Sequence, residues 1–208
     1  EMLEMSSTGA KVLQTRSVEL AMKNNLTLQV LSSFTNQQGT YVVNENELIE
    51  NEIVSGVSYS KNESKITISG IPDKPGISAL VFGLLASNNI NVDMIVQNIS
   101  QDGINANITF TVPNNELEDS KKIIEEKYNE LNYSNLSTDS DIAKISVVGM
   151  GMMSQSGVAE KMFTTLAKNK INIQAISTSE IKISVLIKKI YTDLAIQSLH
   201  DVYKLNKK

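Results

Sequence analysis

Cysteine is absent from this sequence of 208 residues, and histidine occurs once, as His200. Without cysteine there are no disulfide bridges and no thiolate metal sites, a composition that fits a reducing compartment. His200 falls in a predicted helix without a persuasive serine-based triad, so nucleophilic catalysis is not indicated. The two common phosphate-binding motifs, GxxxxGK(S/T) and GxGxxG, are missing as well. The sequence therefore predicts no catalytic residue, no metal site and no cofactor bound by this chain.

Long apolar runs and long runs of like charge are also lacking. No apolar stretch approaches the roughly 18 residues of a membrane-spanning helix, and the N-terminal residues have neither the basic start nor the apolar core of a signal peptide. The net charge is -4 without a basic run, which gives no footprint for nucleic acid. We therefore expect a cytoplasmic globular chain of one large or two small domains, with no membrane or nucleic-acid partner.

What the sequence does contain is an internal repeat. The stretch SNNINVDMIVQN at residues 87–98 has a counterpart, KNKINIQAISTS, at residues 168–179, at an offset of 81 positions. At the same offset Gly76 falls on Gly157, and Phe82 falls on Phe163. Each copy follows an amphipathic run and precedes a β-rich one, where asparagine tolerates turn and left-handed conformations. The duplication predicts two related modules.

The first copy has the order β-α-β-β-α-β of a ferredoxin-like module. A strand, KITISGI, ends at the loop PDKPG, and the next run places its apolar residues on one helical stripe. Two further strands flank a predicted hairpin at QDG. A charged amphipathic helix follows, for which Asn114 or Asn115 is the predicted N-cap, and YSNLSTDS closes the module as a weak strand.

The second copy starts near Ala143 and reads β-α-β-β-α, without a final strand. The β-like run IVSGVSYS, at residues 53–60, has no obvious partner beside it in the sequence. We predict that it completes the second module by joining the sheet of residues 145–148 and 183–187, since that sheet otherwise keeps an open edge.

The predicted fold class is therefore α+β, with two ferredoxin-like modules, the first inserted within the second. The first module takes residues 64–140, and the second takes residues 53–62 together with 141–208. Ahead of them, residues 1–24 are predicted to be helical with an interruption at Gly9, and 45–52 are predicted to form an acidic surface link.

Two clusters of residues are candidates for binding a small molecule. The loop PDKPG ends at a helix start, where backbone N–H groups near Gly76 and Ser78 could hold a carboxylate. Asp73 and Asp93 are candidates for binding an ammonium group, with Gln97 and Ser100 on the same strand as Asp93. The simpler interpretation of Asp93 is a solvated acid at a strand edge.

The second module offers GMGMMSQSG, at residues 149–157, and the polar turn in ISTSEIKIS. Three glycines in a strand-to-helix loop are explained most simply by the turn itself, although a helix start there could also bind a carboxylate. The turn in ISTSEIKIS lacks the usual glycine of a tight hairpin, which favours a further role.

These stretches, in this order, resemble the regulatory region of aspartokinase with its paired ACT modules. The resemblance rests on ITISGIPDKPGISALVFGLLASNNINVDMIVQNIS, KISVVGMGMMSQSGVAEKMF and INIQAISTSEIKISVLI, and it covers nearly the whole chain. Residues 1–44 resemble the end of the kinase domain and its linker. There the chain departs from the family, with Gln14-Thr15 in place of His-Pro and Leu31 in place of a frequent Arg.

The resemblance implies a cytosolic enzyme that phosphorylates L-aspartate with Mg-ATP, at the start of the route to lysine, methionine and threonine. This chain would be its regulatory part, inactive alone, a homodimer through its ACT modules, and a partner of a catalytic domain or subunit. Lysine, threonine or both would bind at ACT interfaces and inhibit the enzyme. The implied effector residues are Asp73, Gly76, Ile77, Ser78, Asp93, Gln97, Ser100, Ser156, Val158, Ala159, Asn172, Ile173 and Ser179.

Two other functions remain open from the sequence. A free-standing ACT protein that binds amino acids for another partner would not need the kinase-like residues 1–34. An enzyme complete in itself would need a phosphate-binding motif, which the sequence lacks. A reading frame that continues upstream into a kinase domain would favour the aspartokinase interpretation.

Overall fold

The computed structural model describes residues 1–44, 53–101, 103–153 and 156–206. Its helices are α1 (Met2–Ser7), α2 (Thr15–Lys23), α3 (Ile77–Ser87), α4 (Leu117–Glu126), α5 (Tyr128–Leu131), α6 (Val158–Lys168) and α7 (Thr192–Val202). Its strands are β1 (Leu28–Val30), β2 (Thr40–Val42), β3 (Gly56–Ser60), β4 (Ser64–Pro72), β5 (Asp93–Ile99), β6 (Asn105–Val112), β7 (Asn135–Asp139), β8 (Ile142–Val148), β9 (Ala175–Thr178) and β10 (Lys182–Lys188).

The elements from β4 to β7 form one antiparallel sheet in the order β5-β6-β4-β7, here called module 1. Alternating residues of its central strands, such as Ile66 and Phe110, are fully buried against α3 and α4. The residues between them point to the other face, where Thr67 and Thr109 are hydrogen-bonded at 3.0 Å. This alternation is the period-two pattern of a sheet with one face packed on helices.

The elements β3, β8, β9 and β10 form a second antiparallel sheet in the order β3-β8-β10-β9, and with α6 and α7 they make up module 2. Strand β3 pairs with β8 from Gly56 opposite Val148 to Ser60 opposite Lys144. The prediction that residues 53–60 supply the missing strand is therefore confirmed, with the strand itself confined to Gly56–Ser60. Module 1 is inserted within module 2, as the α+β prediction required.

The N-terminal residues form two short helices and the two-stranded sheet β1-β2. The predicted interruption at Gly9 is real, because α1 ends at Ser7 and Gly9 has φ of 117°. A Cβ atom at Gly9 would lie 1.9 Å from the carbonyl oxygen of Tyr59, so only glycine allows this close approach to β3. Next to it, Thr8 and Ser58 share a buried hydrogen bond of 2.6 Å. The predicted acidic link at 45–52 lies outside the described residues.

The predicted N-cap of the second helix of module 1 is corrected by the structure. Helix α4 begins at Leu117 after a 3-10 turn, and its N-cap is Glu116 rather than Asn114 or Asn115. The side chain of Asn114 accepts a hydrogen bond from Ser64 Oγ at 2.8 Å instead. After the first helix of each module, the left-handed residues are Asn89 and Lys170, with φ of 58° and 57°, which are equivalent positions of the repeat.

Candidate functional site

The first helix of each module begins at a left-handed glycine. Gly76 has φ of 92° before α3, and Gly157 has φ of 96° before α6. Among the residues that the structure describes, neither helix start has a side-chain cap, and beyond the adjacent residues no atom lies within 4 Å of the position that a Cβ of either glycine would take. First-turn N–H groups in such a setting attract anions such as a carboxylate.

The polar residues predicted beside the start of α3 do meet in the structure. Ser78 Oγ donates a hydrogen bond of 2.7 Å to Gln97 Oε1, which joins the first turn of α3 to strand β5. Ile77 contributes differently from the prediction, because its side chain is buried and its N–H donates to Lys74 O at 3.3 Å.

Asp73 and Ser100 lie at the same end of module 1. The N–H of Asp73 donates to Ile104 O at 2.9 Å, and the N–H of Ser100 donates to Asn105 O at 2.7 Å. Ile104 and Asn105, at the start of β6, thus hold Asp73 and Ser100 at the same end of the sheet of module 1. The structure therefore brings together, within one chain, Asp73, Gly76, Ser78, Gln97 and Ser100.

Asp93 lies at the opposite end of strand β5 from this group. Gln97 is four positions further along the chain, which is about 13 Å in an extended strand. Asp93 Oδ2 is 2.6 Å from the ammonium of Lys144 in module 2, and Oδ1 accepts the N–H of Met94 at 2.8 Å. Burial alone would raise the pKa of the Asp93 carboxyl, but the hydrogen bond and charge of Lys144 lower it overall.

Lys144 is also bound by Glu63, whose Oε1 is 2.7 Å from the ammonium nitrogen. The Lys144 side chain is only 5% exposed, and that of Glu63 is 11% exposed. Burial alone would lower the pKa of Lys144, yet the nearby charges of Glu63 and Asp93 raise it above its ordinary value. The protein thus supplies an ammonium of its own to Asp93, the acid expected to receive that of a ligand.

In module 2 the predicted residues also lie at two ends of the sheet. Ser156 and Val158 lie at the start of α6, and Ser179 follows β9 at the same end, where its N–H donates to Lys182 O at 2.8 Å. Asn172 and Ile173 precede β9 at the other end. The side chains of Ala159 and Ile173 are partly buried and pack against the core of module 2. The loop 149–157 is only partly within the described residues.

Val158 has a structural contact that the sequence did not predict. Its carbonyl oxygen accepts a hydrogen bond of 2.7 Å from the hydroxyl of Tyr203, which follows α7. Burial, followed by the charge of Glu160, raises the pKa of Tyr203 to about 12. The hydroxyl therefore remains a hydrogen-bond donor across the physiological range, and it fixes the start of α6 against the end of α7.

A cavity of about 570 Å³ between the N-terminal segment and module 2 was not predicted. Its apolar walls include Val18, Met22 and Ile181, and its polar residues include Ser179 and Glu180. The residues involved come from positions 1–44 and 150–181, so no local pattern could have indicated it. It places the ISTSEI turn beside helix α1, whose Glu4 forms an ion pair of 2.8 Å with Lys182.

Neither a metal site nor a membrane span is visible in the part of the chain that the structure describes. No group of three or more histidine, aspartate or glutamate side chains there is arranged to hold a metal ion. None of the helices described combines the length and the apolar character needed to cross a membrane.

The class of protein is defined by the two modules, in each of which the first helix begins after a left-handed glycine. Residues 65–128 and 145–203 match the ACT domain family, one stretch in each module. The regulatory subunit of aspartate kinase from Thermus thermophilus, solved without ligand, is 36% identical and superposes with a TM-score of 0.68. That match covers 73% of this chain and 99% of the subunit.

Longer relatives identify the particular family. An aspartate kinase of Pseudomonas fluorescens (strain SBW25) is 47% identical over 207 residues, which are 99% of this chain and 50% of that protein. The aspartate kinase of Clostridium acetobutylicum has the same fold, with a TM-score of 0.86 at 22% identity over 98% of this chain and 47% of that one. The chain therefore belongs to the aspartokinase family, as an ACT-containing regulatory region. It spans about half the length of the curated relatives it matches.

Proposed function

We propose that this chain is the amino-acid-sensing part of an aspartokinase, and that it binds lysine, threonine or both as feedback inhibitors. The complete enzyme would convert ATP and L-aspartate to 4-phospho-L-aspartate, the first step towards lysine, threonine and methionine. The observation that carries the proposal is the contact of Ser78 with Gln97 beside the uncapped, left-handed start of α3.

The chemistry of an α-amino acid suits this end of module 1. Its carboxylate would bind at the first turn of α3, where N–H groups and the helix dipole favour negative charge. Asp73 is exposed beside that turn and would receive the α-ammonium, as a charge-assisted hydrogen bond. Gln97 and Ser100 would then contact the side chain, through the hydroxyl of threonine or the second ammonium of lysine.

We further propose that the complete site forms between two copies of the chain. Within one copy the effector residues implied by the resemblance lie at both ends of an edge strand, so one ligand cannot reach them all. Strands β5 and β9 are the outer strands of their sheets within the described chain, and they expose Ile95, Ile99 and Ile176. Exposed apolar edge strands favour pairing with another strand. A homodimer joined at these edges would bring the opposite ends of two modules together.

Catalysis is proposed to lie outside this chain, in a catalytic domain or subunit that binds Mg-ATP. The chain by itself would phosphorylate nothing, since its sequence has no phosphate-binding motif. The N-terminal segment exposes apolar side chains, with Val12 at 68% and Phe34 at 96%, which supports its packing against that partner. The proposed compartment is the cytoplasm, where the pathway's precursors are made.

A series of thermal melts with all twenty amino acids tests the sensor function. A ligand at 100 times its dissociation constant stabilises the fold by about 2.7 kcal/mol, which is readily measured. Lysine or threonine should raise the melting temperature, whereas methionine, of similar length to lysine, should not. Absence of a shift with both lysine and threonine would end the proposal.

Substitutions at the start of α3 locate the site. Ser78→Ala and Gln97→Ala should each weaken amino-acid binding roughly tenfold, the effect of losing about one hydrogen bond. Ser87→Ala at the other end of α3 is the matched control, because the hydrogen bonds of Ser87 Oγ are local, to Leu84 O within the helix and from the side chain of the adjacent Asn88. Equal affinities for the Ser78 and Ser87 variants would place the ligand elsewhere.

A further inference from the structure

Module 1 is joined to module 2 by two short connections. The chain leaves β3 at Ser60 and enters β4 at Ser64, and it returns from β7 at Asp139 to β8 at Ile142. Two neighbouring connections of this length would act as a hinge between the sheets, unless other contacts fix the angle. The orientation of the inserted module therefore depends on side chains that bridge the two modules.

Lys144 bridges three parts of the molecule at this hinge. It lies on β8, directly after the return connection, while Glu63 lies on the outgoing connection and Asp93 begins strand β5. The ammonium contacts both carboxylates, at 2.7 Å and 2.6 Å. We call Glu63, Asp93 and Lys144 the clasp. Nearby, the ammonium of Lys65 donates a second hydrogen bond between the modules, to Gln174.

The backbone at the clasp is strained. Met94 has φ of 46°, a left-handed conformation that costs a non-glycine residue energy, at a bulge between Asp93 and Val96. Its side chain is buried in module 2, where it packs against Ile142 and Leu186. The bulge thus turns Asp93 and Met94 together towards the other module. Strain of this kind persists only where surrounding contacts hold it.

We propose that the clasp is the element through which occupancy of the amino-acid site changes the position of module 2. Strand β5 has Gln97 near one end and Asp93 and Met94 at the other, so it connects the proposed ligand site to the clasp. A ligand that shifts β5 changes the geometry of the Asp93–Lys144 contact, and the bulge can relax when that contact opens. This transmission of ligand binding through β5 to module 2 rests on the proposed function. The fastening of the hinge, by which the clasp holds the two modules in one orientation, does not.

This assignment gives Asp93 a different role from that of a ligand residue. Its two carboxylate oxygens already bind Lys144 and the Met94 N–H, and it lies away from the other site residues of its own chain. Asp93 would act on binding through the position of β5, as a positioning residue. An interaction that differs between two arrangements of the modules is what allows a ligand to shift one into the other.

Hydrogen–deuterium exchange on the whole chain tests the fastening without any ligand. Lys144→Met, Asp93→Asn and the double variant are compared with the unsubstituted chain. Exchange over residues 61–63 and 93–96 should rise at least tenfold in each single variant. The double variant should exchange no faster than Lys144→Met alone, because that change already removes the Asp93–Lys144 contact. Central strands β4 and β10 should keep their protection.

The matched control is Lys61→Met, on the same connection. Lys61 forms an exposed ion pair with Asp193, 3.1 Å apart, and its loss should leave exchange at residues 93–96 unchanged. Unchanged exchange in Lys144→Met would overturn the clasp. So would a rise of the exchange rate in the double variant that equals the product of the rises in the two single variants. If Lys144→Met also opens β4 and β10, the isosteric Asp93→Asn decides alone.

Lysine and threonine, each added at saturation, test the transmission. The one that shifts the thermal melt should change exchange at residues 93–96 and on β9 in the unsubstituted chain, but not in Asp93→Asn. A melt shift without any change at the clasp would overturn the transmission. If neither amino acid shifts the melt, the proposed function fails. The exchange result without ligand still decides whether the clasp fastens the hinge between the modules.

Discussion

At the scale of single residues, Lys144 has an unusual position for a lysine. It lies on β8, a central strand of module 2, and its ammonium is almost fully removed from water. Such a charge is tolerated only when it is paired and hydrogen-bonded, and two carboxylates meet that requirement. Removing one member of a buried ion pair is costly because its partner, here the carboxylate of Glu63, stays buried without a compensating charge. Lys144 is therefore a residue whose loss should be visible in the stability of the whole chain.

The pH dependence of stability should report the clasp directly. The pKa of Lys144 is raised on folding, so its contribution is present below about pH 10.5 and is lost as pH rises through the folded value. The pKa of Asp93 is lowered, so its contribution is present above about pH 4 and is lost as pH falls through the folded value. The unfolding free energy of Lys144→Met should lie about 3 kcal/mol below that of the parent between these limits.

Chemical denaturation at a series of pH values measures this difference. It should stay level from about pH 5 to pH 9 and shrink outside that window, at both ends. Lys61→Met should differ from the parent by no more than about 0.5 kcal/mol throughout, since its ion pair with Asp193 is exposed. A difference that varies steadily across the neutral range would contradict the assigned ionic contacts.

At the scale of elements, strand β5 combines three properties that are rarely found in one edge strand. It carries Gln97 of the candidate site, its first residues contact the other module, and its exposed positions hold isoleucines. Edge strands usually display charges or proline to prevent pairing. The exposed side chains of Ile95 and Ile99 therefore support the proposed pairing of β5 with a strand of a second copy.

Charge on the outer side of β5 should therefore prevent dimer formation. Ile95→Lys and Ile99→Lys replace apolar contact area with ammonium groups that would face each other across a symmetric interface. Light scattering at tens of micromolar should show a dimer for the parent and a shift to monomer for the double variant. Ile190→Lys is the control, because Ile190 is 80% exposed but precedes α7 on module 2. A monomeric parent, with or without amino acids, would refute the proposed assembly.

At the scale of the whole molecule, the two modules depend on each other unequally. The core of module 1 is built from residues between Ile66 and Tyr133, all inside the insertion. The core of module 2 includes Val54, which lies before the insertion, together with residues up to Leu199. Module 2 thus needs both parts of the chain, whereas module 1 has a continuous sequence and its own core.

Fragments should reproduce this asymmetry and test the predicted domain boundaries. Residues 64–140 alone should unfold cooperatively on heating, because all four strands of that sheet are present. Residues 141–208 alone should show no cooperative transition, since β8 then loses its β3 partner and the core loses Val54. A cooperative transition should return when residues 53–62 are joined to 141–208 by a short glycine-serine linker. A cooperative melt for 141–208 by itself would contradict the interleaved boundaries.

Local patterns were sufficient to predict the elements and the insertion. Strand and helix periodicities depend on residues two to four positions apart, and the repeat made it possible to count strands and find one missing. The tight turns before α3 and α6 could be predicted for the same reason, because the glycines that allow them are local to each turn. Of the candidate residues, Ser78 and Gln97 are in contact, and Asp73 and Ser100 lie at the same end of module 1, since each follows or begins an element that the sequence defined.

The sequence by itself thus determined the two modules and their order. Only the tertiary structure decided the partner of Asp93, because that contact joins residues 51 positions apart in different modules. The same holds for Asn114, which the sequence assigned to a helix cap and which Ser64 binds instead, 50 positions away. Contacts of this kind depend on how elements far apart in the sequence pack, within a module for Asn114 and between modules for Asp93, and no pattern within either segment records that packing.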